Sequence, residues 1–164
     1  MAQGFYLDHA LLLILASSLL SILLSWLSIK IAPEIGLMDF PGSADHKGHS
    51  NPIPLTGGIV LIDLLIIMVL LTGLWKDSKI WGVLISGITI SIFGLLDDFL
   101  NLSPLKKFTG QILASILLIY FGIQVNFFSS PEFFYHTKSD LDLWLNIFFT
   151  IFWITTLTNA FNFI

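Results

Sequence analysis

The chain has 164 residues, with 55% apolar types and only 11% charged types. A soluble domain carries roughly 25% charged residues, so most of this surface needs a cover other than water, and the bilayer supplies one. A net charge of −4 gives no basic footprint for nucleic acid; the absence of Cys excludes a disulfide framework and thiolate metal sites; and the absence of Arg leaves lysine ammonium groups as the strong phosphate binders.

Five apolar stretches follow one another, each expected to cross roughly 30 Å of hydrocarbon as a helix. They run from about His9 to Ile31, Thr56 to Trp75, Ile80 to Leu96, Phe108 to Val125 and Leu141 to Ile164. The expected fold is an all-α, polytopic transmembrane helical bundle forming a single membrane domain. The first stretch is too long for a secretory h-region and has no basic residue before it, so it reads as a spanning helix. Gly82, Gly87 and Gly94 in the third stretch allow close approach of a neighbouring helix. Trp75, Trp81, Trp144 and Tyr135 suit the membrane interface.

Successive spanning helices alternate direction. The first and third connections therefore share one side of the membrane with the end of the fifth helix. Lys30, Lys47, Lys106 and Lys107 flank that side, against Lys76, Lys79 and Lys138 on the other. The lysine excess, small as it is, assigns the first side to the cytoplasm.

Three polar constellations fall on that side. The first connection carries Asp39-Phe40-Pro41, then His46-Lys47-Gly48-His49, then Ile53-Pro54-Leu55-Thr56-Gly57-Gly58. It offers cationic groups beside a helix start, whose free N–H groups suit an anion. The third helix ends in Gly94-Leu95-Leu96-Asp97-Asp98. Adjacent carboxylates repel, and Mg²⁺ offsets that repulsion while taking one or two carboxylates plus substrate phosphates. The last helix ends in Asn159-Ala160-Phe161-Asn162, whose carboxamides share a helix face. Each motif alone also reads blandly, as a solvated loop, a hydrated helix exit or interhelical glue. Together they describe phosphate chemistry at a membrane rim. Asp63, inside the second helix, is an intramembrane carboxylate without an assigned role.

These motifs resemble the polyprenyl-phosphate N-acetylhexosamine-1-phosphate transferases. Asp39-x-Pro41 with Lys47-x-His49, Ile53-Pro54-x-x-Gly57-Gly58-Ile59, Gly94-x-x-Asp97-Asp98 and Asn159-Ala160-x-Asn162 are similar to four family motifs in the same order. The wording is nearest the branch that moves N-acetylglucosamine 1-phosphate from the UDP-sugar to undecaprenyl phosphate. The resemblance implies a bacterial inner-membrane enzyme with its site facing the cytoplasm. Its cofactor is Mg²⁺, with Mn²⁺ as the alternative ion. Its substrates are undecaprenyl phosphate and a UDP-N-acetylhexosamine, and its product starts a surface or cell-wall glycan such as O-antigen. It implies Asp97 and Asp98 as catalytic and metal-binding residues, Asn162 as a further metal ligand, and Lys47, His49 and Asn159 as substrate-binding residues.

Two departures matter. His46 stands where the family has Arg. The chain reaches Ile164 one residue before the expected Asp of the family's next motif, and family members have about twice as many spanning helices. The expectation is a truncated product, inactive alone. The competing expectation is a non-enzymatic membrane protein, either a transporter-like bundle or a lipid-binding remnant. The sequence carries no signal for oligomeric state.

Overall fold

The computed structural model describes residues 2–41, 50–128 and 139–162. It is helical, with five α-helices: α1 (Ala2–Ile31), α2 (Gly57–Thr72), α3 (Ser78–Leu100), α4 (Pro104–Tyr120) and α5 (Asp140–Asn162). A short strand pair, β1 (Met38–Asp39) and β2 (Ile53–Pro54), and one 3-10 turn (Leu74–Lys76) complete it. Among the described residues, three helical segments are long and apolar enough to cross a membrane: Ala10–Ile31, Ser78–Leu100 and Asp140–Ala160. The chain divides into two compact units at Thr72 and Gly73.

Not all five expected spans reach full length. The 16 residues of α2 extend about 24 Å at 1.5 Å per residue, short of roughly 30 Å of hydrocarbon. Gly73, in the left-handed region at φ 72°, stops α2. The 17 residues of α4 are similarly short and include Lys106 and Lys107 in the first turn. Gly122, at φ 79°, follows its end.

The first unit is a helical hairpin. Leu12, Leu19 and Ile22 of α1 are exposed by more than half, a surface that hydrocarbon accepts and water does not. At the end of α1, Ala32 N–H donates to the Ser28 carbonyl at 2.8 Å and Leu37 N–H to the Ala32 carbonyl at 2.9 Å. Gly36 permits this reversal at φ 73°. The antiparallel pair β1–β2 then sets Met38 opposite Pro54 and Asp39 opposite Ile53. Buried Thr56 donates its hydroxyl to Ser28 Oγ at 3.0 Å, so the entry to α2 is tied to α1. The residues 42–49 between the strands, which carry His46, Lys47 and His49, lie outside the described residues.

In the second unit, α3 and α4 form an antiparallel pair of close approach. A Cβ on Gly82 would overlap the side chain of Phe121, and a Cβ on Gly110 would overlap the ring of Phe93. Glycine at these positions lets one helix sit against the other. The segment after α4 docks on α5 by hydrogen bonds: Val125 N–H donates to Thr150 Oγ1 at 2.9 Å, and Phe128 N–H to Asn146 Oδ1 at 3.1 Å. Asn146 is 1% exposed. Backbone outside helix and strand needs such acceptors, which explains polar side chains on an apolar helix.

Candidate functional site

The site is built where the end of α3, the start of α4 and the end of α5 meet. α3 continues to Leu100, so Asp97 and Asp98 lie in its last turn and not in a loop. The helix stops at Asn101, left-handed at φ 48°. Asn tolerates that conformation better than most residues. Asn101 N–H donates to the Asp97 carbonyl at 2.8 Å, and Leu102 N–H donates to Asp97 Oδ1 at 3.0 Å. Asp97 thereby shapes the turn into α4.

Pro104 opens α4, its fixed φ suiting the first helical position. Lys106 and Lys107 consequently stand in the first turn of α4, not in the preceding loop. Lys107 Nζ pairs with Asp97 Oδ2 at 2.6 Å. Both side chains are partly accessible, at 36% and 23%, so the pair is open to ligand and solvent.

One turn along α4, Gln111 reaches α5. Gln111 Nε2 donates to Asn159 Oδ1 at 3.2 Å, and Asn159 Nδ2 returns a bond to Gln111 Oε1 at 2.9 Å. The second N–H of Asn159 Nδ2 donates to the Thr155 carbonyl at 2.8 Å. That carbonyl can only accept, so it fixes which end of the Asn159 carboxamide is nitrogen. Both donors of Asn159 are thus engaged, leaving an acceptor lone pair on Oδ1.

A cavity of about 190 Å³ is lined by Phe93, Gly94, Asp97, Lys107, Gly110 and Gln111, among others. Its wall is apolar toward Ile90 and Phe93 and polar at Asp97 and Lys107. A second hollow lies between Pro104, Leu105, Lys107, Phe108 and Asn159. Lys107 borders both. An ammonium group at the mouth of an apolar cavity suits an amphiphile with an anionic head.

The structure therefore brings Asp97 and Asn159 into one cluster through Lys107 and Gln111. Asp98 adjoins Asp97 in the same helical turn, and Asn162 lies one turn beyond Asn159 at the end of α5. Lys47 and His49 lie outside the described residues. Asp63 lines a different groove, within the first hairpin, with Leu24, Ser28, Thr56 and Val60. Gln111 was not singled out from the sequence. Its signal was there: a carboxamide in the apolar run of α4, four residues after Lys107 and so on the same face.

The described residues contain no group of three or more His, Asp or Glu side chains able to hold a metal. Mg²⁺ does not need one, because it keeps water and takes one or two carboxylates with substrate phosphates. The group found here is the carboxylate of Asp97 with the ammonium of Lys107 beside it.

Residues 80–164 match the model of glycosyl transferase family 4. The chain belongs to this family. It is 31% identical over 148 residues to a probable undecaprenyl-phosphate N-acetylglucosaminyl 1-phosphate transferase of Bacillus subtilis, covering 90% of this chain and 40% of that protein. It is 32% identical over 137 residues to a phospho-N-acetylmuramoyl-pentapeptide-transferase of Prochlorococcus marinus, covering 74% of this chain and 38% of that one. An undecaprenyl-phosphate alpha-N-acetylglucosaminyl 1-phosphate transferase of Pasteurella multocida is 32% identical over 93 residues, covering 56% of this chain and 25% of its own. This family 4 chain thus spans less than half the length of the relatives it matches, 40% of the Bacillus protein and 38% of the Prochlorococcus one. No solved structure gives a significant match. The family 4 match begins in α3 and includes the whole cluster of Asp97, Lys107, Gln111 and Asn159.

Proposed function

We propose that the protein built on these helices transfers an N-acetylhexosamine 1-phosphate from its UDP-sugar to undecaprenyl phosphate, releasing UMP. N-acetylglucosamine 1-phosphate is the favoured group, by similarity to the Bacillus and Pasteurella transferases. The observation that carries the reading is the cluster itself: a carboxylate–ammonium pair and a carboxamide pair at one end of three helices, opening into an apolar cavity.

In this mechanism an oxygen of the lipid phosphate attacks the β-phosphorus of the nucleotide sugar. The bond from that phosphorus to the bridging oxygen breaks, and UMP leaves with the electron pair. The second pKa of a phosphate monoester is about 6, so the attacking oxygen is already ionised at neutral pH and needs no strong base. The residues' task is then positioning and charge stabilisation. Lys107 exchanges its hold on Asp97 for a phosphate oxygen. Lys47 and His49 supply further charge and hydrogen bonds to phosphate. Asp97 and Asp98, with Asn162, would hold Mg²⁺ or Mn²⁺, which screens the diphosphate charge when bound. The site faces the cytoplasm of a bacterial inner membrane, and the lipid product starts a surface or cell-wall glycan such as O-antigen.

The test uses the 164-residue chain in nanodiscs, alone and joined in register to the later part of the Bacillus relative. Given undecaprenyl phosphate, UDP-N-acetylglucosamine and Mg²⁺, the joined protein is expected to release UMP and the chain alone none. No UMP from the joined protein with any UDP-N-acetylhexosamine, once it is shown to be folded, removes the transferase reading.

A further inference from the structure

We infer that Gln111 is a positioning residue for Asn159, and that it presents Asn159 to the site as a hydrogen-bond acceptor and not as a donor to phosphate. The inference rests on the transferase reading and adds two statements to it: which residue aims the carboxamide, and which ligand atoms that carboxamide receives.

The argument is one of counting. A carboxamide has two N–H donors and two acceptor lone pairs. Asn159 spends one N–H on Gln111 Oε1 and the other on the Thr155 carbonyl, and one lone pair on Gln111 Nε2. What remains accepts only. Phosphate oxygens are acceptors at neutral pH, so they find no partner here. A sugar hydroxyl, an amide N–H or a cation does. An N-acetylhexosamine carries hydroxyl groups and an acetamido N–H, so this lone pair is matched to the sugar or to a metal ion.

Gln111 is well placed to do the aiming. It lies on the face of α4 that carries Lys107, and it lines the cavity with Asp97 and Lys107. Its two bonds to Asn159 cross from α4 to α5. Without them Asn159 keeps only its bond to its own helix, which leaves the carboxamide free to change rotamer. Misplacement of a substrate-positioning group by about 1 Å can cost ~100-fold in rate.

The first arm uses the joined protein and Gln111→Leu, Asn159→Leu and the double variant. The expected result is a fall in kcat of about 10- to 100-fold in each, with the KM for undecaprenyl phosphate within about twofold of the parent. The double variant is expected to lose no more than the worse single one, as for residues that act as a unit. Full kcat in Gln111→Leu, additive losses, or a loss confined to the KM for the lipid phosphate overturns the inference.

The second arm needs no turnover. The chain itself, with labelled side-chain amides, is studied by NMR in nanodiscs with Mn²⁺ as the probe. Cross-relaxation between the Gln111 and Asn159 amides is expected. Paramagnetic broadening should reach Asn159 in the parent and weaken in Gln111→Leu, while broadening at the Asp97 backbone persists. Unchanged Asn159 signals in Gln111→Leu overturn the inference whatever the activity. An inactive joined protein with the NMR behaviour intact removes the transferase reading and leaves the aiming of Asn159 standing.

Discussion

Lys107 and Gln111 stand four residues apart on one face of α4, and each grips a different neighbour: Lys107 holds Asp97 of α3 at 2.6 Å, and Gln111 holds Asn159 of α5 at 2.9 Å. A single helical turn therefore sets the spacing between two motifs that are far apart in the chain.

Lys107 is expected to matter for ligand more than for fold. Its pair with Asp97 is partly exposed, and such pairs contribute about 0–1 kcal/mol. Lys107→Met should lower the melting temperature of the chain in detergent only slightly. Binding of undecaprenyl phosphate, followed by phosphorus NMR, should weaken about 10-fold or more, as for loss of a charge-assisted hydrogen bond. Unchanged binding would remove Lys107 from the lipid phosphate site.

The two carboxylates of α3 should differ from the carboxylate of α2. In the joined protein, Asp98→Asn is expected to reduce UMP release by about 100-fold or more, the scale of a lost electrostatic group at a reacting centre. Asp63→Asn should be milder, since Asp63 lines the groove of the first hairpin. Full activity of Asp98→Asn would refute its metal and catalytic assignment.

Glycine at position 110 is a packing requirement. Gly110→Ala places a methyl group in the ring of Phe93, and overpacking of this kind costs about 1–3 kcal/mol. A lower melting temperature is expected in Gly110→Ala, with partial recovery when Phe93→Leu is added. Recovery is the informative outcome, because it assigns the loss to that one contact.

The link after α4 depends on Asn146. Asn146→Leu removes the acceptor of the part-buried Phe128 N–H bond, at a cost of about 1 kcal/mol for a hydrogen bond lost. Hydrogen exchange at Phe128 should accelerate by at least about 5-fold, the factor that corresponds to 1 kcal/mol. Exchange at Leu84, in the first half of α3, should not change.

The membrane class was legible because composition forces it, and so was the meeting of Asp97 with the Asn159 helix end, because alternating spans bring those ends to one side. Helix ends were less legible. The run of α3 was expected to stop at Leu96, because Asp97 and Asp98 look like a polar exit. In the fold the helix carries both and stops only at left-handed Asn101. The α4 start was placed at Phe108 because Lys106 and Lys107 look like loop, but Pro104 nucleates the helix before them. The strand pair β1–β2 is two residues per strand, too short for any period-two pattern to show. Polar residues on α5 were hard to assign for a different reason. Thr150 and Asn146 satisfy backbone N–H groups of a distant segment, and nothing local to α5 announces that.

The carboxylate of Asp97 has a second duty: one oxygen closes the corner between α3 and α4 through Leu102 N–H while the other meets Lys107. Truncation to alanine removes the corner bond and the carboxylate of the cavity at once. Loss of activity on altering Asp97 therefore cannot by itself be credited to chemistry. Asp97→Asn keeps an acceptor for Leu102 N–H and removes only the charge, so comparing it with Asp97→Ala separates architecture from reactivity at one position.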